Sequence, residues 1–153
     1  MKTIIAIDPG QSGGIVYTVV GMLATVVEKM PSTISDIKDA IYMQYSIEEK
    51  EEVVVYLEDV HSMPGQGVSS SFKFGRGFGN LEAIAICLGY RLIYVRPQVW
   101  QKALGLLTKK GESKTQHKNR MKAFAQQRYP HVKVTLATAD ALCILEYAKM
   151  MEK

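Results

Sequence analysis

The sequence lacks the features that mark membrane, secreted and disulfide-stabilised proteins. No apolar run reaches the roughly 20 residues that a bilayer span requires, and the first residues have the pattern of a strand rather than of a signal peptide. The two cysteines, Cys87 and Cys143, lie in apolar helical segments without metal-ligand spacing, so we expect both to be buried free thiols. A length of 153 residues predicts a single domain over 1–153, and the absences together predict a cytoplasmic protein with no membrane partner.

Positive charge is concentrated in one segment of the chain. Residues 102–128 contain eight basic residues and one acidic residue, Glu112, whereas the rest of the chain holds eleven basic and fourteen acidic residues. A basic patch of this kind neutralises phosphates and releases counterions. The alternative is a solvated helix face with no partner. The patch predicts phosphate contacts from Lys109, Lys110, Lys114, Lys118 and Arg120.

Two apolar strands end in carboxylates. The predicted strand 2–8 ends at Asp8 and is followed by a glycine-rich turn, and the β-branched run 53–57 leads into Glu58 and Asp59. Because side chains alternate along a strand, only one of these last two can point to the side of Asp8, and we predict that it is Glu58. A buried carboxylate is costly unless something neutralises it. Both strand ends are therefore candidate metal or phosphate sites.

A third carboxylate, Asp140, is surrounded by small and apolar residues over 137–145. This composition predicts a closely packed helix, in which an acid needs a partner. Three such acids offer hard oxygen ligands for Mg²⁺, and two cations about 3.5–4 Å apart can stabilise both the attacking and the leaving oxygen in phosphoryl transfer. The alternative is that each acid caps a helix or pairs with a lysine.

Five segments of the chain, taken in order, resemble RuvC-type Holliday junction resolvases, especially the short phage-encoded branch. They are AIDPGQSGGI, YLEDVHSMPGQGVSSSFKFGRGFG, VRPQVWQKALGL, HKNRMKAFAQQRYP and ATADALCILEYA. The resemblance covers nearly the whole chain and is least distinctive over residues 20–52. It implies an α/β protein of the ribonuclease-H-like fold, with a mixed five-stranded sheet flanked by helices, forming one nuclease domain.

The resemblance also implies an activity and a site. A homodimer would nick four-way DNA junctions with Mg²⁺, or Mn²⁺ in its place, in a bacterial or phage-infected host cell. Asp8, Glu58 and Asp140 match the acidic positions of the family and would be both the metal ligands and the catalytic groups. Lys118 begins the segment similar to the lysine motif of the family, and it would stabilise charge that develops near the scissile phosphate.

Further residues are candidates for DNA contact or for packing. His61 stands where the family carries an aromatic wedge, and an ordinary loop residue is the alternative reading. Lys73 and Arg76 lie among glycines in the next segment and are candidate phosphate contacts. Phe74 is predicted to belong to the core or to a dimer interface. Trp100 is predicted to pack in the interior rather than to stack on bases.

One position departs from the family pattern. Bacterial members carry a further aspartate three residues before the position matched by Asp140, where this chain has Ala137. On a helix these two positions share a face, so the missing carboxylate would have pointed to the same site. A junction-binding protein with weak or no nuclease activity therefore stays open as an alternative.

A less favoured alternative is an actin-like or sugar-kinase-type ATPase, whose phosphate loop also follows a strand with an aspartate and glycines, as at Asp8. Such an ATPase would need two domains to close on a nucleotide.

Apolar periodicity predicts the order of the secondary-structure elements. We expect strands at about 2–8, 14–20, 22–29, 53–58 and 91–95. We expect helices at about 33–46, 71–88, 97–105, 114–128 and 138–151, with a polar, glycine-rich loop before the second helix. Three strands followed by alternating helices and strands is the order expected of an α/β sheet.

Overall fold

The computed structural model describes residues 2–42, 52–61 and 65–153. Within these ranges the chain forms five strands and five helices. The strands are β1 (Lys2–Asp8), β2 (Gly14–Val19), β3 (Thr25–Lys29), β4 (Glu52–Glu58) and β5 (Arg91–Val95). The helices are α1 (Ile34–Tyr42), α2 (Val68–Cys87), α3 (Pro97–Ala103), α4 (Lys114–Arg128) and α5 (Leu136–Met151).

The strands form one mixed sheet in the order β3-β2-β1-β4-β5. β1, β2 and β3 pair antiparallel, whereas β4 is parallel to β1 and β5 is parallel to β4. The carboxyl ends of β1, β4 and β5 therefore meet at one edge of the sheet. Ile7 pairs with Leu57, which brings the next residues, Asp8 and Glu58, to neighbouring positions. The predicted mixed five-stranded sheet flanked by helices is confirmed.

Both faces of the sheet are covered by helices. Ile4 and Ala6 of β1 join a hydrophobic cluster with α4 and α5, while Ile5 and Ile7 join a second cluster with α1 and α2. Because both sides of β1 are buried, the strand is apolar almost throughout instead of alternating with polar residues. The central strands are thus well-packed supports for the charged residues at their ends.

Most predicted elements are present, and several boundaries shift. α2 begins at Val68 instead of about 71, because the N–H of Ser71 already donates to the carbonyl of Gly67 at 2.9 Å and the helix extends through polar residues that lack an apolar pattern. β3 begins at Thr25, and α5 begins at Leu136. The predicted end of the first helix lies outside the described residues.

No helix in the described ranges is long and apolar enough to cross a membrane.

Three side chains test the predictions about burial. Cys143 is buried as predicted, and its Sγ lies 3.7 Å from the carbonyl oxygen of Met121. Cys87 is exposed, so the prediction of a second buried thiol is wrong. It is the last residue of α2, off the face that buries Leu81 against the sheet. Phe74 is half-buried, with its ring centroid 6.3 Å from that of Phe78.

Candidate functional site

Asp8 is the last residue of β1 and leads into a tight turn. The turn is closed by the N–H of Gly13, which donates to the carbonyl of Gly10 at 3.1 Å. Gly10 has a φ of 111°, in the left-handed region that favours glycine. The chain then reverses into β2, whose first residue, Gly14, pairs with Asp8 across the sheet. The glycines after the acid therefore hold it against the neighbouring strand.

Glu58 ends β4 and is nearly enclosed, with 7% of its surface exposed. Its carboxyl lies close enough to that of Asp8 for its charge to raise the pKa of Asp8. Asp59 turns away, since its N–H donates to the carbonyl of Val95 at 2.9 Å and its carboxylate lies 3.8 Å from the Nε of Arg96. The structure thus brings Glu58, and not Asp59, to the side of Asp8, as strand alternation predicts.

Asp140 is brought to the same edge by α5, which packs across β1 and β2. The helix approaches β2 closely at Gly14, where an added Cβ would lie 3.2 Å from the carbonyl oxygen of Ala137 and 3.3 Å from the Cγ2 of Thr138. Small residues at this crossing let the first turn of α5 lie directly on the sheet. Asp140 follows in the same helix, and its charge consequently raises the pKa of both Asp8 and Glu58.

The three carboxyls ionise less readily than is usual for such groups. Burial is the largest cause for each, and it raises the pKa of Asp8, of Glu58 and of Asp140. Repulsion adds to burial, because the charge of Asp140 raises the pKa of the other two and the charge of Glu58 raises that of Asp8. Three acids that repel one another in a poorly solvated place are typical of a site that binds a cation or transfers protons.

Helix α4 places positive charge beside the acids. Lys118 attracts all three carboxylates and so partly lowers the pKa of each. The neighbouring His117, which the sequence did not single out, also lowers the pKa of Asp140. Its Nε2 lies 2.7 Å from the carbonyl oxygen of Leu106 and therefore carries the proton, while Nδ1 lies 3.3 Å from the Oγ1 of Thr108. These contacts fix the ring, and they depend on a loop fold that no sequence pattern revealed.

Trp100 also reaches the site. The residue is fully buried, as predicted for a packing residue, but its indole Nε1–H donates to Oε1 of Glu58 at 2.9 Å. This bond favours the ionised carboxylate and opposes the effect of burial on the pKa of Glu58. The sequence offered one indirect signal for the contact, since a buried tryptophan usually needs an acceptor for its N–H.

The donors at this edge suit a hard divalent cation, because carboxylate oxygens are the protein ligands that Mg²⁺ prefers. Asp8, Glu58 and Asp140 are the side chains that would hold it. In residues 2–42, 52–61 and 65–153, no three His, Cys, Asp or Glu side chains are arranged so that all three could bind the same metal ion. Mg²⁺ commonly takes only one or two carboxylates and fills its other positions with water and substrate phosphates, which a site of this composition allows.

The basic side chains predicted to contact DNA fall into two groups. Those exposed to solvent are His61, Lys73, Arg76, Lys109, Lys110, Lys114 and Lys118. Arg120 differs, because its Nε and Nη2 donate to the two carboxylate oxygens of Glu112 at 2.8 and 2.9 Å, and Nη2 also donates to the carbonyl of Leu107 at 2.7 Å. These bonds brace the loop between α3 and α4. Most donors of Arg120 are therefore engaged within the chain, and its DNA contact stays a prediction.

Two cavities lie away from the acids. One, of about 490 Å³, lies between β5, α3 and α5 and is lined by residues such as Ile93 and Tyr147. The other, of about 180 Å³, adjoins the turn after β2. Neither is lined by Asp8, Glu58 or Asp140. An enclosed pocket is not required for a polymeric substrate, whose phosphates are bound mainly by exposed basic side chains.

The sheet order, the covering helices and the acids at one edge define a ribonuclease-H-like fold. Two solved structures of RuvC from Thermus thermophilus share it. RuvC in complex with Holliday junction substrate matches with a TM-score of 0.62 and 17% sequence identity, over 97% of this chain and 96% of that chain. A further RuvC structure matches with a TM-score of 0.56, 17% identity and the same coverage. No protein-family model and no curated protein sequence matches the chain. The likeness confirms the predicted fold.

Proposed function

We propose that this chain is a metal-dependent, structure-selective endodeoxyribonuclease that nicks four-way (Holliday) and related branched DNA junctions. The observation that carries the proposal is the convergence of Asp8, Glu58 and Asp140 from β1, β4 and α5, with Lys118 beside them. The fold shared with a RuvC structure that contains Holliday junction substrate supports the same substrate class. The order of the resolvase-like sequence segments supports it independently.

The acids and the lysine of the site have different parts in the proposed reaction. Asp8, Glu58 and Asp140 would hold Mg²⁺ or Mn²⁺, whose positive charge would oppose the burial that raises the pKa of all three and the repulsion that further raises the pKa of Asp8 and Glu58. When bound, the cation supplies activation of water and stabilisation of the leaving oxygen. Lys118 attracts the scissile phosphate and stabilises the negative charge that develops on it. The products would carry 5′-phosphate and 3′-hydroxyl ends.

The proposed DNA surface extends from Lys118 along α4 and the loop before it. Lys114 lies one turn earlier on the same helix, and Lys109 and Lys110 lie in the preceding loop. The loop is ordered by the bonds between Arg120 and Glu112, so these lysines are presented on a braced segment. His61, Lys73 and Arg76 belong to the segment that directly follows Glu58, and we propose that they contact the DNA on the opposite side of the site.

A homodimer is part of the proposal. A four-way junction has two-fold symmetry, and a symmetric dimer with two sites matches it and can nick two opposed strands. The supporting argument is the symmetry of the substrate together with the resemblance to resolvases. Light scattering on the purified chain, alone and with a junction, tests this point. A mass of one protomer in both conditions would remove the paired-nick part of the proposal.

The decisive experiment compares DNA structures under defined metal conditions. End-labelled four-way, three-way and linear duplex DNA are incubated with the wild-type chain in Mg²⁺, in Mn²⁺ and in EDTA, and Asp8→Asn serves as the matched inactive variant. We expect paired nicks in the four-way junction with either metal, weaker nicking of the three-way form, and none in EDTA or with Asp8→Asn. Equal cleavage of linear duplex, or cleavage by Asp8→Asn, would contradict the proposal.

A junction-binding protein with little nuclease activity is the second candidate. It is favoured by Ala137 in the first turn of α5 and by the lack, within the described residues, of three ligands already arranged for one ion. A gel shift of the four-way junction without product in either metal would support it. Calorimetry with ATP in the same buffer tests the ATPase alternative, for which we expect no binding.

A further inference from the structure

We infer that Trp100 is a positioning residue for Glu58, and that its indole N–H fixes the carboxylate in the orientation in which it binds the divalent cation. The inference rests on the proposed function, since it assigns Trp100 a part in the same metal site. Nothing in the sequence resemblance gives this tryptophan a role beyond packing.

The geometry of the contact carries the inference. Trp100 is 0% exposed and Glu58 is 7% exposed, so water cannot readily replace either partner. The Nε1–H donates to Oε1 of Glu58 at 2.9 Å. The carboxylate is thus anchored by a buried indole, and its rotation is restricted.

The local structure explains why the indole is so well placed. Trp100 lies in α3, which begins at Pro97 directly after β5, and β5 pairs with β4 in a register that sets Val95 opposite Glu58. The helix therefore starts next to the end of the strand that carries the acid. The ring itself is packed in the cluster formed with α4 and α5, which fixes the direction of its N–H.

A purely structural explanation of the contact makes a different prediction. A buried indole N–H needs an acceptor, and on that explanation Glu58 merely satisfies Trp100. Loss of the N–H would then change stability but not metal affinity. Groups that orient a metal ligand by hydrogen bonding typically contribute about 10–100-fold to metal affinity. Metal affinity therefore separates the two explanations.

The test uses Trp100→Phe, which keeps an aromatic ring in the core and removes the N–H. Its matched control is Tyr129→Phe, because Tyr129 is also a buried aromatic that donates to a glutamate, Glu146, at 3.0 Å but lies outside the acid site. Mn²⁺ binding to the full chain is measured by calorimetry, and folding of each variant is checked by thermal unfolding. We expect Mn²⁺ to bind Trp100→Phe about tenfold or more weakly, and Tyr129→Phe with wild-type affinity.

A second measurement needs no metal and keeps the inference testable if Trp100→Phe fails to fold. Trp100 is the single tryptophan of the chain, so tryptophan fluorescence reports the surroundings of this one indole, including its bond to Glu58. Glu58→Gln keeps an oxygen acceptor for the indole, whereas Glu58→Ala removes it. We expect the emission maximum of Glu58→Ala to shift from that of the wild type, and that of Glu58→Gln to stay close to it.

The outcomes separate this inference from the proposed function. Wild-type Mn²⁺ affinity in folded Trp100→Phe, with normal cleavage by the wild type, would overturn the positioning role and leave the nuclease proposal intact. Identical emission from the wild type, Glu58→Gln and Glu58→Ala would show that the bond does not persist in solution and would also overturn the role. Failure of the wild type to bind Mn²⁺ and to cleave junctions would overturn the proposed function, and the positioning role with it.

Discussion

Gly13 lies directly against the backbone of Asp8. A Cβ added at Gly13 would stand 2.0 Å from the Asp8 carbonyl oxygen and 3.1 Å from its Cγ. The backbone of Gly13 is engaged as well, because its carbonyl accepts from the N–H of Met30 at 2.9 Å. Neither partner can move without disturbing the sheet, so the absence of a side chain at position 13 is what allows Asp8 to occupy its place at the end of β1.

Gly13→Ala should therefore destabilise the fold and displace the Asp8 carboxyl. We expect a loss of about 1–3 kcal/mol in the free energy of unfolding, the usual cost of overpacking a tight site, and weaker Mn²⁺ binding. The matched control is Gly79→Ala, at a helical position in α2 where an added Cβ meets nothing within 4 Å. That change should stabilise the chain by about 0.5–1 kcal/mol. Urea unfolding measures both, and equal stabilities would contradict the crowding at Gly13.

Junction affinity should survive the loss of the metal site. Asp8→Asn removes a carboxylate that repels phosphates, while the exposed lysines that attract DNA are unchanged. We expect nicking to be abolished and binding in EDTA to be equal to or stronger than that of the wild type. A gel shift that shows a large loss of affinity in Asp8→Asn would contradict the division between acids that catalyse and lysines that bind.

Binding should weaken steeply with salt, because phosphate contacts release counterions. Each lost phosphate contact lowers the slope of log affinity against log salt by about 0.9 on duplex DNA. Replacing Lys114 and Lys118 together by alanine should therefore reduce the slope by up to about two. The control is the double alanine variant of Lys38, in α1, and Lys153, which follows α5; both are exposed. An unchanged slope in the first variant would remove those two lysines from the proposed surface.

The main features of the fold, and the acids of the site, could be predicted from local patterns. The apolar, β-branched runs before Asp8 and Glu58 identify strands buried on both faces, and strand alternation selects Glu58 over Asp59. The small residues around Asp140 identify a helix that packs closely, and Gly14 is the position on the sheet where it does so. Each of these signals lies within a few residues of the side chain concerned.

The rest of the site depends on contacts between distant segments. The bond from Trp100 to Glu58 requires α3 to start beside the end of β4, and the placement of His117 requires the preceding loop to fold back on α4. Charge alone likewise does not reveal that the guanidinium of Arg120 is paired with Glu112. The exposure of Cys87 could not be predicted, because its apolar neighbours indicate a helix but not which face carries the thiol.

Lowering the pH should weaken the contact between the C-terminal helix and the sheet. Glu152, directly after α5, makes that contact by accepting hydrogen bonds from residues of three strands. Burial raises the pKa of Glu152, but hydrogen bonds from Lys2, Arg91 and Tyr56 outweigh it and hold the pKa at about 2. A carboxyl with a lowered pKa contributes stability above its ordinary pKa of 4.5 and loses it as pH falls towards the folded value.

Glu152→Gln should consequently be less stable than the wild type at pH 7, and the difference should shrink as the pH falls from about 5 to about 2. Thermal unfolding followed across that range measures the effect. Glu28→Gln, at an exposed position of β3, serves as the control and should show a small difference at every pH. A gap for Glu152→Gln that stays constant down to pH 2 would show that packing, rather than charge, makes the contribution.

Ala137 offers a test of how α5 faces the metal. The helix begins at Leu136, so Ala137 lies in its first turn, three residues before Asp140 and on the same side of the helix. An aspartate there would add an oxygen ligand, and the N-terminus of the helix would favour its negative charge. In the metal-free chain the same charge would join three acids that already repel one another.

Ala137→Asp should therefore bind Mn²⁺ more tightly and reach its full nicking rate at lower Mg²⁺ than the wild type, while the metal-free variant becomes less stable. Ala137→Asn is the matched control, because it supplies a similar side chain without the charge and should change metal affinity much less. Calorimetry with Mn²⁺ and nicking assays across a Mg²⁺ series measure the two effects. If Ala137→Asp leaves both metal affinity and nicking unchanged, position 137 does not face the cation, and the wild-type site must complete its coordination with water or with phosphate oxygens of the DNA.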